Sequence, residues 1–97
     1  MVTMRIVIVE DSVLLREGIA RLLTENGHEV VAQLADATTV VSSVAELTPD
    51  LIVLDVRLPP TFTDEGVRAA LAIRAALPTQ PILVLSQYVE ELSLIHI

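Results

Sequence analysis

The sequence contains no cysteine, no tryptophan and no lysine, and its aromatic residues are one phenylalanine and one tyrosine. Without cysteine the chain has no disulfide framework, no thiolate metal ligand and no thiol nucleophile. Its basic residues are six arginines against 13 acidic residues, which gives a formal net charge of -7. Nucleic-acid-binding domains carry a basic surface, so we do not expect this segment to bind DNA by itself.

Long apolar segments are also absent from the chain. There is no apolar run of about 18 residues, the length that indicates a membrane-spanning helix. The apolar start at residues 1–9 is too short for a signal peptide and is followed at once by acids. We therefore expect no membrane association and a cytoplasmic location. Hydrophobic residues still make up 53% of the chain, which predicts a folded aliphatic core rather than disorder.

Short apolar runs alternate with segments of helical periodicity. We predict four strands, at residues 6–9, 30–35, 51–54 and 82–85. Strands of this length that alternate with helices form βαβ units. The sequence therefore predicts a single α/β domain with a doubly wound parallel sheet and helices on both faces.

The first predicted helix is amphipathic. Its expected core face contains five residues with helical spacing: Leu15, Gly18, Ile19, Leu22 and Leu23. Its expected outward face contains four charged residues: Arg16, Glu17, Arg21 and Glu25. Asn26 and Gly27 then provide a helix stop.

Two further helices complete the predicted pattern. The second opens at Thr38 or Thr39 and directs three valines toward the core: Val40, Val41 and Val44. The third runs from a cap at Thr63 or Asp64 to Leu77, and its alanine content predicts close packing.

The stretch LIVLDVRLPP, residues 51–60, places a carboxylate, Asp55, directly after an apolar strand. Glu10 and Asp11 follow the first strand, and Ser86 follows the fourth. In open α/β sheets, sites form outside the carboxyl ends of the strands. If strand one lies between strands two and three, with strand four beyond strand three, these four side chains meet at one rim.

Three carboxylates at one rim need a counter-charge, because two unit charges about 4 Å apart repel by roughly 4 kcal/mol at an effective dielectric of about 20. The chain has no lysine, and Arg57 is a single cation on a predicted loop. A divalent ion is the expected partner, and an open carboxylate site indicates Mg²⁺ rather than zinc. Beside Mg²⁺, Asp55 is equipped to attack a phosphoryl group, with the Ser86 hydroxyl hydrogen-bonded to a phosphoryl oxygen.

These residues also have simpler interpretations. Asp11 or Ser12 is a suitable N-cap for the first helix, and Ser86 is a suitable N-cap for a fourth. The presence of polar side chains at three strand ends favours the site interpretation, and capping by Ser86 is compatible with it.

Three segments, IVIVEDS, LIVLDVRLP and ILVLS, resemble in order and spacing the receiver domain of two-component response regulators. The pattern covers residues 4–91 and is most similar to the branch whose receivers precede a helix-turn-helix DNA-binding domain. The resemblance implies a flavodoxin-like sheet of strand order 2-1-3-4. It also implies that Asp55 accepts phosphate from a sensor histidine kinase and that Ser86 is the hydroxyl switch residue.

The resemblance further implies a metal site and partners. Glu10, Asp11 and Asp55 would bind Mg²⁺ together with the main-chain carbonyl of Arg57. The expected function is transcription control, with contact to DNA only through a missing output domain. Phosphorylation is expected to promote homodimerisation or release of the effector, and the chain itself is not expected to be an enzyme.

Several features depart from the family pattern. Gly66 follows Asp55 by eleven residues, a longer interval than receivers usually show. The family's fifth strand with its lysine, and its fifth helix, do not occur in this chain. The last six residues, LSLIHI, match the translation of a transposase-derived sequencing adapter. We therefore interpret residues 1–91 as an incomplete receiver domain and residues 92–97 as a non-native tail.

An incomplete receiver would expose an apolar edge on its fourth strand, and such edges recruit other chains. We therefore expect residues 1–97 to be poorly stable, to associate, and to accept phosphate slowly or not at all. Residues 94–97 have a strand-like composition that could pair with this edge.

Two other function classes fit the pattern less well. An Mg²⁺-dependent phosphatase with an aspartate nucleophile typically has a second aspartate two residues later as general acid, where this chain has Arg57. A nucleotide-binding module would need a G-x-x-x-x-G-K or G-x-G-x-x-G loop after the first strand, which is absent. The phosphatase is kept as the alternative hypothesis.

Overall fold

Strands and helices alternate along the computed structural model, which describes residues 3–56 and 65–85 and the backbone of 94–96. The strands are β1 Arg5–Val9, β2 Glu29–Leu34, β3 Leu51–Asp55, β4 Ile82–Leu85 and β5 Leu94–His96. The helices are α1 Val13–Glu25, α2 Val40–Leu47 and α3 Glu65–Ala76. The caps proposed for the third helix, Thr63 and Asp64, lie outside the described residues. No helix in the described ranges is long and apolar enough to cross a lipid bilayer.

β1 lies between β2 and β3 in the sheet. The strand order is β2-β1-β3-β4-β5, and the first four strands are parallel. The pairing of β1 with β3 runs from Ile6 opposite Leu51 to Val9 opposite Leu54. The predicted α/β fold with strand order 2-1-3-4 is confirmed, and the ends of β1 and β3 lie side by side.

Helices cover the sheet on both faces, because successive side chains of a strand point to opposite sides. Val7 and Val9 of β1 pack in an apolar cluster with residues of α2 and α3. Ile6 and Ile8 belong to a second cluster, against which α1 packs. These four β1 side chains are all 0% exposed, so the continuous apolar run is explained by burial on both faces.

α1 packs on the sheet through fewer residues than its periodicity predicts. Ile19, Ala20 and Leu23 pack against the second cluster, whereas Leu15 is 46% exposed and Leu22 is 61% exposed. The prediction that Leu15, Gly18 and Leu22 belong to the core is therefore wrong. The apolar stripe of α1 is wider than the area of sheet beneath it, so one edge of the stripe faces solvent.

The fifth strand lies antiparallel to β4, with Leu94 opposite Leu85 and His96 opposite Leu83. Residues near the end of the chain thus pair with β4, as their composition allowed. The expectation of an open edge along β4 is wrong for residues 83–85, because the backbone of 94–96 lies along it. Because these residues are already paired, they are not free to pair with another chain in the way that was predicted. The non-native origin of residues 92–97 stays a prediction.

Local polar contacts and left-handed residues mark the helix ends. The Ser12 Oγ accepts the Leu15 N–H at 3.3 Å and caps α1. α1 ends at Glu25 with Asn26 as its C-cap, and Gly27 follows with a φ of 88°, which glycine adopts without steric penalty. α2 ends at Leu47, and its C-cap is Thr48, whose φ is 45°. The predicted stop of the first helix is therefore confirmed.

Candidate functional site

Three acidic side chains meet at the rim where β1 and β3 end. The last residues paired between these strands are Val9 and Leu54, so Glu10 and Asp55 follow at the same edge. One carboxylate oxygen from each of Glu10, Asp11 and Asp55 lies within 4.8 Å of the other two. We call these three residues the acidic cluster. Among the described residues, it is the one group of acidic or histidine side chains close enough to hold a metal ion.

Glu10 and Asp55 are almost completely buried, although both are acidic. Each is 2% exposed. Main-chain groups hold Glu10: its N–H donates to the Leu34 carbonyl at 2.9 Å, and its Oε2 accepts the Ser12 N–H at 3.0 Å. Buried carboxylates need such partners or a cation, because an unpaired charge is strongly disfavoured in a protein interior.

Burial raises the pKa of Glu10 from 4.5 to about 7. The Ser12 N–H opposes this shift, while the charge of Asp55 and hydrogen bonding with Asp55 and Asp11 add to it. Below about pH 7, Glu10 therefore holds a proton in most molecules when no cation is bound. A hard divalent cation is a suitable replacement for that proton, since the ligands are carboxylate oxygens.

The start of α3 lies directly against the main chain of Asp55. The Gly66 N–H donates to the Val56 carbonyl at 2.8 Å, and a Cβ at position 66 would lie 1.8 Å from the Asp55 carbonyl oxygen. No other amino acid fits this approach without a shift of the backbone. The eleven-residue interval between Asp55 and Gly66, although unusual for receivers, therefore still ends in contact with Asp55.

Arg16 contacts the main chain of Glu10 in the acidic cluster, and the helical periodicity did not predict this contact. That pattern placed Arg16 on the outward face of α1, but its side chain is half-buried and its Nη1 donates to the Glu10 main-chain carbonyl at 2.7 Å. The expectation was wrong because helical side chains lean toward the N-terminus, so Arg16 reaches back to the end of β1. Arg21 and Glu25 do face solvent, with side chains 83% and 66% exposed.

Two predicted site residues, Arg57 and Ser86, lie outside the described residues. Asp55 is paired with Leu85 across β3 and β4, so the residue before Ser86 lies at the same rim as the acidic cluster. The roles of the Arg57 carbonyl as a metal ligand and of Ser86 as a switch hydroxyl stay predictions.

Comparison with known proteins relates this geometry to a family. The family model described as the response regulator receiver domain matches residues 6–96. The protein-glutamate methylesterase/protein-glutamine glutaminase of Haloarcula marismortui is 38% identical over 87 residues, which cover 90% of this chain and 22% of that protein. The oxygen regulatory protein NreC of Staphylococcus aureus is 34% identical over 95 residues, which cover 97% of this chain and 43% of that protein. The chain spans less than half the length of these curated relatives.

A solved structure combines the same fold with a related sequence. The crystal structure of a two-component response regulator of the LuxR family from Aurantimonas sp. matches with a TM-score of 0.81 and 35% identity. The match covers 90% of this chain and 61% of that one. The two chains are therefore similar in both fold and sequence over most of the length of this chain.

Proposed function

The chain belongs to the response regulator receiver domain family, and from this premise we propose that Asp55 is its phosphoacceptor. The supporting observation is the convergence of Glu10, Asp11 and Asp55, whose oxygens lie within 4.8 Å of one another at the carboxyl ends of two adjacent strands. Asp55 terminates β3, and Gly66 lies directly against its main-chain carbonyl.

The acidic cluster is suited to Mg²⁺. Its donors are carboxylate oxygens, and the pKa of Glu10 is raised by burial first and then by the nearby charge of Asp55, which a bound cation would offset. Glu10, Asp11 and Asp55 would hold the ion, together with the main-chain carbonyl of Arg57. When bound, Mg²⁺ would offset the negative charge on the oxygens of an incoming phosphoryl group.

The proposed reaction transfers a phosphoryl group from a histidine of a sensor kinase. A carboxylate oxygen of Asp55 forms a bond to phosphorus while the bond from phosphorus to the histidine nitrogen breaks. The electron pair of the broken bond stays on that nitrogen. The Ser86 hydroxyl then donates a hydrogen bond to a phosphoryl oxygen, which links the phosphorylation state to the segment after β4.

The proposed output is transcription control through an attached DNA-binding domain. NreC is described as a regulatory protein and the Aurantimonas structure as a LuxR-family regulator, and this chain covers 43% and 61% of them. We propose that residues 1–91 of this protein are the receiver of such a regulator. We also propose that the protein forms a homodimer on phosphorylation and is located in the cytoplasm. The receiver is proposed to act as a switch and not as an enzyme, and residues 92–97 are proposed to be a non-native tail.

The test is intact mass spectrometry of the 97-residue chain after incubation with Mg²⁺ and acetyl phosphate. Because the chain has no lysine, we expect slow uptake and recommend a time course of several hours. Wild type is expected to gain the mass of one phosphoryl group, and Asp55→Asn none. Asp50→Asn is the matched control, because Asp50 is exposed and its Oδ2 accepts the Arg5 N–H, a role that asparagine can keep. Equal uptake by Asp55→Asn and wild type would contradict the assignment of Asp55 as the phosphoacceptor.

A further inference from the structure

We propose that Arg16 is a positioning residue for the metal ligands, and that its guanidinium keeps the carboxylates of Glu10 and Asp11 directed toward Asp55. This inference rests on the proposed function, because it takes the acidic cluster as a cation site. Arg16 itself lies in the first turns of α1 and binds main chain, so it is not proposed as a ligand.

Three contacts fix Glu10 from three directions. Its N–H donates to the Leu34 carbonyl of β2 at 2.9 Å. Its carboxylate accepts the Ser12 N–H at 3.0 Å. Its main-chain carbonyl accepts the Arg16 Nη1–H at 2.7 Å. Only the Arg16 contact among these three can be removed by a side-chain substitution that leaves the backbone and the acidic cluster unchanged.

The Arg16 contact acts on the peptide group that joins Glu10 to Asp11. The six atoms of a peptide unit lie close to one plane, so a hydrogen bond to the Glu10 carbonyl restricts the rotation of that plane. The orientation of the plane sets the direction in which the Asp11 Cα and its side chain leave the backbone. Arg16 thereby influences two of the three carboxylates through one charge-assisted hydrogen bond.

The location of Arg16 on α1 favours such a role over simple helix stabilisation. A cation near the N-terminus of a helix is disfavoured by the helix dipole, and the first turn of α1 contains no acidic residue that would compensate. Arg16 is also half-buried, unlike Arg21, whose side chain is 83% exposed. An arginine in a locally unfavourable position is expected where it serves a site.

The experiment measures Mg²⁺ affinity of the 97-residue chain by isothermal titration calorimetry, without a phosphodonor. Arg16→Met keeps the aliphatic stem but removes the donor, and we expect it to weaken Mg²⁺ binding by about tenfold, as for other supports of metal ligands. Arg21→Met is the control, because it removes the same charge from the same helix without touching Glu10. Its affinity is expected to stay within about twofold of wild type, since Arg21 is exposed and its charge is screened.

A second measurement separates positioning from a general loss of structure. The phosphorylation rate of Arg16→Met is expected to need more Mg²⁺ for half-saturation but to reach the wild-type plateau. A lower plateau with unchanged half-saturation, or equal Mg²⁺ affinity of Arg16→Met and Arg21→Met, would overturn the proposal. If circular dichroism shows that Arg16→Met does not fold, Arg16→Lys and Arg21→Lys replace the pair, because both keep the net charge. Weaker binding by Arg16→Lys alone is then expected, and equal affinities would overturn the proposal.

The outcomes distinguish this inference from the proposed function. If wild type binds no Mg²⁺, the proposed function fails before any variant is compared. If wild type binds Mg²⁺ and Asp55→Asn binds it more weakly, while Arg16→Met binds as wild type does, the role of Arg16 alone is rejected.

Discussion

The α-carbon of Gly66 approaches the main chain of Asp55 so closely that a methyl group on it would lie 1.8 Å from the Asp55 carbonyl oxygen. Because the clash is with backbone, no side-chain rotation relieves it. Gly66→Ala is therefore expected to displace the start of α3 and to destabilise the protein by about 2–3 kcal/mol. Urea unfolding followed by circular dichroism measures this change, and wild-type stability of the variant would contradict the described contact.

Gly18 provides the matched comparison, because it is a helical glycine whose added Cβ would meet nothing within 4 Å. Alanine has the higher helix propensity, and Gly18 shows no positive φ. Gly18→Ala is therefore expected to stabilise the protein by about 1 kcal/mol in the same unfolding assay. Destabilisation would indicate that α1 makes a close contact at this position.

The orientation of α1 is tested by its two adjacent leucines, which differ in burial. Leu22 is 61% exposed, and Leu23 packs against the cluster containing Ile6 and Ile8. Leu22→Ala is expected to change the free energy of unfolding by less than about 0.5 kcal/mol. Leu23→Ala is expected to lower it by about 2 kcal/mol. The reverse ranking would show that α1 is rotated from the described orientation.

The pH dependence of stability follows from the raised pKa of Glu10. Because its pKa is 4.5 ordinarily and about 7 in the folded protein, the folded state binds a proton more tightly than the unfolded state. The stabilisation is complete below pH 4.5 and is lost as the pH rises through about 7. In EDTA, wild type should therefore lose stability between these pH values relative to Glu10→Gln, which does not titrate.

Without a cation, deprotonation of Glu10 lowers the stability of the protein as the pH rises. Binding of Mg²⁺ to the acidic cluster should have the opposite pH dependence. Deprotonated Glu10 binds a cation better than its protonated form, so the stabilisation by Mg²⁺ is expected to increase as the pH rises through about 7. Chemical unfolding at several pH values, with EDTA or Mg²⁺, measures both effects. A Mg²⁺ effect that is constant from pH 5 to pH 8 would argue against ligation by Glu10.

The meeting of Glu10, Asp11 and Asp55 was predictable because it depends on backbone topology. Continuous apolar runs identify buried parallel strands, and the ends of such strands gather at one rim. The spacing of β1 and β3 in the sequence, together with the family resemblance, was enough to order them correctly. The proposal of Mg²⁺ rests on the same three residues, since it is argued from ligand chemistry rather than from detailed packing.

Features that depend on side-chain packing were not predictable. Helical periodicity identifies an apolar stripe but not how much of it a sheet covers, so Leu15 and Leu22 were assigned to the core. The contact from Arg16 to Glu10 depends on the direction in which a long side chain leaves its helix. The pKa of Glu10 depends on its burial, and an acid after a strand is often solvated. The composition of residues 94–97 allowed pairing with β4, but no local sequence signal sets the antiparallel register that β5 adopts.

Successive side chains of β1 point to opposite faces of the sheet, and this alternation fixes the position of Glu10 directly after the strand. Slippage of β1 past β3 by a single residue would move Glu10 by about 3.3 Å, a large fraction of the 4.8 Å that spans the three oxygens. It would also exchange the sides occupied by Val7 and Ile8. The packing of the aliphatic side chains therefore sets the positions of the carboxylates in the acidic cluster. Substitutions that loosen this packing should weaken cation binding before the protein unfolds.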